Sequence, residues 1–186
     1  MEYNLSKTIV LIGLMGAGKT AIGTILAEHL GVDFVDSDEE ISRAANMSIP
    51  EIFDRDGEGF FRLKETQIIG RLLGSRPHIL STGGGAFLSN ENRKMISGNA
   101  VSVWLDAELE TLWGRVKEKK SRPLLMVKDP KTALKNLYIS RKPQYAKANI
   151  RVKALHSQTK EVMVDRVIQT LLADPISGLS KVEKNA

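Results

Sequence analysis

Cysteine is absent from the chain, which excludes disulfides and thiolate metal sites. The absence suits a reducing compartment, and cytoplasmic residence is the expectation. Histidine is nearly as scarce. His29, His78 and His156 stand far apart without metal-site spacing, so each reads as a surface or helix-side residue. No apolar run is long enough to span a bilayer, and the opening Met1-Glu2-Tyr3-Asn4-Leu5-Ser6 lacks the basic-then-apolar build of a signal peptide. No membrane partner is expected. Aromatic residues make up only 5% of the chain and do not interleave with its one dense basic cluster, Lys117 to Arg122, as a single-strand stacking platform requires. The rest of the +5 net charge is scattered. That distribution favours phosphorylated and carboxylated small molecules over nucleic acid as partners. There is no internal repeat or low-complexity tract. A length of 186 residues with 42% hydrophobic content builds one compact domain, expected over residues 1–175, with a frayed tail at 176–186.

Against these absences stands Gly13-Leu14-Met15-Gly16-Ala17-Gly18-Lys19-Thr20, which matches the phosphate-binding pattern G-x-x-x-x-G-K-[ST]. Its flanks are the right ones. Thr8-Ile9-Val10-Leu11-Ile12 before it reads as a buried parallel strand, and Ile22, Ile25, Leu26 and Leu30 after it recur at helical spacing up to Gly31. Glycines let backbone N–H groups curl around a phosphate while the helix N-terminus adds partial positive charge. Lys19 would neutralise the β- and γ-phosphates, and the Thr20 hydroxyl would ligate Mg²⁺.

Strand-like and helix-like segments then alternate, the pattern of a parallel sheet covered by helices. The short strand Asp33–Asp36 leads into Asp36-Ser37-Asp38. Ligands of open α/β sheets sit beyond the carboxyl ends of the strands, so both acids should face the phosphates. One could hold the Mg²⁺ shell and the other accept a proton from an attacking hydroxyl; away from a phosphate loop the same acids would read as a solvated turn. Ser48-Ile49-Pro50-Glu51 resembles a capping box opening a short helix through Phe53, and Phe60 to Leu73 reads as a longer helix. Arg62, with Glu65 one turn on, and Arg141, before Pro143 and Tyr145, offer the planar fork that a carboxylate substrate needs, although surface solvation is the ordinary fate of an arginine. Gly83-Gly84-Gly85 follows the strand His78–Thr82 and permits close approach of a ligand to backbone. Two more strands, Val101–Leu105 and Ile150–Val152, and a helix from Lys160 to Leu172 complete the pattern. The basic, proline-bounded stretch at about 117–131 fits a water-excluding lid carrying Arg122 toward the transferring phosphoryl group, and fits a solvated surface loop equally well.

In this order, the phosphate loop, Asp36-Ser37-Asp38, Phe61-Arg62 with Glu65, the triple glycine, Arg122-Pro123-Leu124-Leu125, and Arg141 with Pro143 and Tyr145 make the chain resemble the shikimate kinases, in the nucleoside-monophosphate-kinase-like branch of P-loop folds. The resemblance runs from about Thr8 to Leu172. It implies a three-layer α/β fold with a five-stranded parallel sheet of order 2-3-1-4-5 and helices on both faces. It implies an ATP site, a shikimate-binding region at about 38–66 and a mobile lid; a monomer is expected. By that likeness Asp38, Arg62, Gly84 and Arg141 contact shikimate, with Lys19, Asp38 and Arg122 catalytic. Gly16, Ala17, Gly18, Lys19, Thr20 and Ala21 cradle ATP, Arg122 touches phosphate and Gln158 lies by the adenine. Thr20 and Asp36 serve Mg²⁺, since Ser81 stands where many P-loop enzymes carry a metal-shell acid. The reaction implied is transfer of the ATP γ-phosphate to the shikimate 3-hydroxyl, toward chorismate and the aromatic amino acids. Gluconate kinase shares the fold, but the triple glycine and arginine pair fit shikimate better. A switch GTPase is disfavoured: Asp54-Arg55-Asp56-Gly57 matches the loose D-x-x-G pattern, yet no Asn-Lys-x-Asp motif exists.

Overall fold

The computed structural model describes residues 2–117, 125–155 and 158–182. Strand β1 (Tyr3–Leu5) precedes β2 (Thr8–Ile12), and α1 (Lys19–Leu30) follows the phosphate loop. Gly31 ends α1 in the left-handed conformation, its N–H returning to the Ala27 and Glu28 carbonyls, the standard glycine stop. Next come β3 (Phe34–Asp36), α2 (Ser37–Ala45), α3 (Ile49–Leu73) and β4 (Ile79–Ser81). A 3₁₀ turn at Ala86–Leu88 leads to α4 (Asn90–Asn99), β5 (Ala100–Ala107) and α5 (Leu109–Val116). The remainder is α6 (Pro130–Tyr145), β6 (Ile150–Ala154), α7 (Lys160–Ala173) and β7 (Leu179–Lys181).

The main sheet has the order β3-β4-β2-β5-β6 with every neighbouring pair parallel. Counted without the short β1, that is the expected 2-3-1-4-5. Burial follows position in the sheet. All of β2 and all of β5 are buried, as β-branched central strands covered by helices on both faces must be. Edge strand β6 alternates buried and exposed residues. Trp104 is buried in the core and Trp113 packs against it. His78 is buried as well, beside Thr8 and the Arg76 carbonyl, instead of lying at the surface; His29 is a helix-side residue bonded to the Ile25 carbonyl.

Two local expectations change. The capping box forms, with Ser48 N–H donating to the Glu51 carboxylate at 2.8 Å, but the two expected helices run on as α3, broken only at Gly57 with φ 80° and ψ 171°. Asp54 to Gly57 therefore sits inside a helix, not in a switch loop. The C-terminal residues up to Lys181 are not frayed: β7 pairs antiparallel with β1, and Ser6 donates to the Gly178 carbonyl through both its N–H and its hydroxyl. Backbone pairing between segments remote in sequence carries no local signature, so a polar stretch beyond a proline hides it.

Helix α1 packs on the sheet at Gly23, where an added methyl group would lie 2.5 Å from the Phe34 ring and 3.0 Å from Leu11 Cδ1. Alanine would gain up to about 1 kcal/mol of helix propensity, whereas forcing a carbon into a packed core costs about 1–3 kcal/mol. Gly23→Ala should therefore lower the thermal midpoint by a few degrees; an unchanged or raised midpoint in calorimetry would show that this contact is looser than the geometry states.

Candidate active site

The phosphate loop ends at Gly18, whose φ of 97° lets it cap α1 without a side-chain hydrogen bond. The first turn of α1 carries no acidic residue, so no carboxylate of its own competes with an anion for its N–H groups and the positive end of the helix dipole. Lys19 curls back over the loop, its Nζ donating to the Gly13 carbonyl at 2.8 Å and the Leu14 carbonyl at 3.3 Å. Thr20 lies in the first turn, and its hydroxyl donates to Asp36 Oδ2 at 3.3 Å. Gly16, Ala17 and Ala21 occupy the loop and helix start around them.

Asp36 and Asp38 do not lie on one extended segment. Asp36 closes β3 and caps α2, its Oδ1 accepting from the Asp38 N–H at 3.0 Å, and Asp38 is in the first turn of α2. The cap turns the chain by helical geometry, which aims the two carboxylates at different neighbours: Asp36 at Thr20, Asp38 at the glycine loop. A methyl group on Gly83 would meet Asp38 Oδ1 at 2.8 Å and Glu65 Oε1 at 3.2 Å. On Gly85 it would meet both terminal nitrogens of Arg62 at 2.6 Å. On Gly84 it would lie 3.3 Å from Arg141 Nη1 and 3.7 Å from the Gly13 carbonyl. The triple glycine is thus a seam between the phosphate loop and four charged side chains from α2, α3 and α6. Its far end is fixed by Asn92, which donates to the Ala86 carbonyl at 2.9 Å, and by Arg93, which donates to the Phe87 and Leu88 carbonyls.

Glu65 is the anchor of this seam. It is 1% exposed and accepts from Arg62 Nη1 at 2.8 Å. Burial pushes its carboxyl above the ordinary range; Arg62 opposes the shift, and the Asp38 charge adds to it. Burial disfavours the charged Arg62 guanidinium, yet Glu65 and Glu58 hold it above its ordinary value.

The structure brings together Lys19, Thr20, Asp36, Asp38, Arg62, Gly84 and Arg141. It does not do so for Gln158, which lies between β6 and α7 and uses its side chain locally, accepting from the Leu155 N–H and donating to Met163 Sδ. Arg122 with the 118–124 part of the expected lid, and His156, lie outside the described residues. One contact escaped sequence reading: Arg115 on α5 reaches back to the phosphate loop, its Nη1 donating to the Gly16 carbonyl at 3.1 Å and the Ala17 carbonyl at 3.4 Å. Nothing in Trp113-Gly114-Arg115 marks that role, because it arises from where α5 packs.

A phosphate cradle sharing a seam with acids and arginines is the layout of a P-loop kinase acting on a small molecule. The family model described as shikimate kinase matches residues 15–172. Shikimate kinase of Ruegeria pomeroyi is 57% identical over 90% of this chain and 86% of its own length. That of Cereibacter sphaeroides is 53% identical over 92% and 85%. The solved structure of shikimate kinase from Acinetobacter baumannii in complex with shikimate superimposes with a TM-score of 0.85 at 36% identity, covering 90% of this chain and 93% of that one. The chain belongs to the shikimate kinase family.

The raised Glu65 carboxyl has a measurable consequence. Between its unfolded value near 4.5 and its higher folded value, the folded protein keeps a proton that the unfolded chain has released. Stability must then fall as pH rises through that window, the reverse of the usual carboxylate case. Glu65→Gln should flatten this slope whatever it does to absolute stability; a variant whose midpoint-versus-pH curve keeps the parent slope above pH 4.5 would assign the titration elsewhere.

Proposed function

We propose that the clustered residues carry out transfer of the ATP γ-phosphate to the 3-hydroxyl of shikimate, giving shikimate 3-phosphate and ADP, with the roles that follow. The observation that carries the reading is the glycine seam, where Asp38, Arg62 and Arg141 crowd a backbone that also touches the phosphate loop at Gly13. The family membership supports it. Residues Gly16 to Ala21 cradle the nucleotide phosphates with backbone N–H groups and the N-terminus of α1. Lys19 leaves its carbonyl contacts for the β- and γ-phosphates and neutralises charge that spreads over the transferring group.

Arg62 and Arg141 clamp the substrate carboxylate, Arg62 held in register by buried Glu65. A bidentate guanidinium fixes both the position and the plane of a carboxylate, which a lysine point charge does not. Asp38 orients the attacking hydroxyl and accepts its proton as the new O–P bond forms and the bond from the γ-phosphorus to the bridging oxygen breaks. The glycine backbone at Gly84 borders the same substrate. Thr20, in the first turn of α1, and Asp36, at the end of β3, are hard oxygen donors 3.3 Å apart. Among the described residues no cluster of three or more acids, histidines or cysteines could hold a metal ion. That set fits Mg²⁺, which takes few protein ligands and keeps waters and phosphate oxygens; when bound it would offset charge on the β- and γ-phosphates. Arg122 is assigned to the transferring phosphate and Gln158 to the adenine side. Among the described residues no helix is long and apolar enough to cross a membrane, and the substrates are small anions.

A coupled ADP-release assay with shikimate, gluconate and no acceptor in parallel tests the reading. Release above background is expected with shikimate alone; a response to gluconate and not to shikimate would overturn it. Lys19→Ala should lower kcat by about 10²- to 10³-fold in a folded protein, the usual loss for one electrostatic contact to a transition state. Asp38→Asn should cut kcat/KM for shikimate while leaving ATP affinity intact, read by titrating each ligand separately.

A further inference from the structure

Arg141 and Gly84 come from distant parts of the chain, and one buried oxygen joins them. The Tyr145 hydroxyl donates its proton to the Gly84 carbonyl at 2.6 Å. With that proton spent, the oxygen has only lone pairs left to offer, and it lies on the same side of Gly84 as the Arg141 guanidinium: a methyl group on Gly84 would meet Arg141 Nη1 at 3.3 Å and the Tyr145 hydroxyl at 3.6 Å. Guanidinium and phenol oxygen thus crowd one point beside Gly84, the phenol bonded to its carbonyl, with Gly84 caught between Arg141 and the Gly13 carbonyl of the phosphate loop. Tyr145 is 3% exposed. Its ring is braced by Trp104, with centroids 6.2 Å apart and planes tilted by 42°, so the hydroxyl has little freedom to wander.

The local helix makes the anchor necessary. Arg141 and Tyr145 are four residues apart on the last turn of α6 and share one face. Pro143 lies between them. Lacking an N–H, it cannot donate to the Ile139 carbonyl, so the backbone holds this turn less firmly than an ordinary helix end. A side chain bonded across to another element supplies the missing constraint.

We propose that Tyr145 is a positioning residue for the acceptor substrate: its hydroxyl sets the aim of the Arg141 guanidinium and fixes it relative to Gly84, so that the carboxylate clamp and the glycine backbone present one geometry. The inference rests on the reading that Arg141 binds the shikimate carboxylate. The Tyr145 hydroxyl is bonded to the glycine seam and not to Lys19 or Asp38, so its influence should fall on acceptor binding and not on phosphoryl transfer.

The test is a cycle of Tyr145→Phe, Arg141→Lys and the double variant, measured for KM of shikimate, KM of ATP, kcat and thermal midpoint, with assays run well below the lowest midpoint. Phenylalanine keeps the ring against Trp104 and deletes only the oxygen. Tyr145→Phe should raise KM for shikimate by about tenfold, the value of one hydrogen bond to a charged group, with kcat and KM for ATP within about twofold of the parent. Because both residues act through one clamp, the double variant should be little worse than Arg141→Lys alone, whereas independent effects would multiply. If Arg141→Lys raises KM for shikimate and Tyr145→Phe does not, the positioning role is wrong and the substrate reading stands. If Arg141→Lys also leaves KM for shikimate unchanged, the carboxylate reading fails and takes this proposal with it. Multiplying effects, or an equal rise in KM for ATP, would reduce Tyr145 to general packing and overturn the role.

Discussion

Three consecutive residues without side chains after β4 allow the rest of the site to exist. Asp38, Glu65, Arg62 and Arg141 approach Gly83, Gly84 and Gly85 so closely that any one added methyl group would be pressed against a carboxylate or guanidinium, at 3.3 Å or less. Charged groups are costly to gather out of water unless each meets an opposite charge or a hydrogen bond. Here the backbone of the seam is narrow enough for acids from α2 and α3 to face arginines from α3 and α6 across it.

Glu65 shows how the cost of that gathering is met. A carboxylate that is 1% exposed would take up a proton if isolated, and burial does push it that way. Arg62 restores part of the balance with a 2.8 Å bond, and in return is held in a single orientation toward the seam. An arginine free in solvent would spend side-chain entropy each time it closed on a carboxylate; one already fixed does not. The pair therefore costs some stability in the free protein and, on the proposed role of Arg62, spares ordering entropy when a carboxylate binds.

The parallel sheet delivers these parts to one edge. Strands β2, β3 and β4 run side by side in the same direction, so the loops after their carboxyl ends (the phosphate loop, the Asp36 cap and the triple glycine) must emerge together. Asp36 ties two of them, bonding Thr20 of one and the start of α2 of the other. Arg115 adds a third support by reaching the phosphate loop from α5.

Features set by neighbours along the chain were legible in the sequence. The phosphate loop between strand and helix, the capping box at Ser48 and the glycine stop at Gly31 follow from local spacing and backbone chemistry, whereas the order of the parallel strands was implied by the family resemblance and not by spacing. The Arg62–Glu65 pair was legible too, because one helical turn separates its members. What stayed hidden was set across the fold. The pairing of β1 with β7, the contact of buried His78 with Thr8, the reach of Arg115 and the bond from Tyr145 to Gly84 all join residues far apart in sequence. A hydrogen bond between remote segments needs only a donor and an acceptor brought to the right distance, and ordinary tyrosines, arginines and backbone groups supply both everywhere. The sequence by itself therefore determined which chemistry the loops carry; the packing of helices on the sheet decided which side chains hold those loops in place.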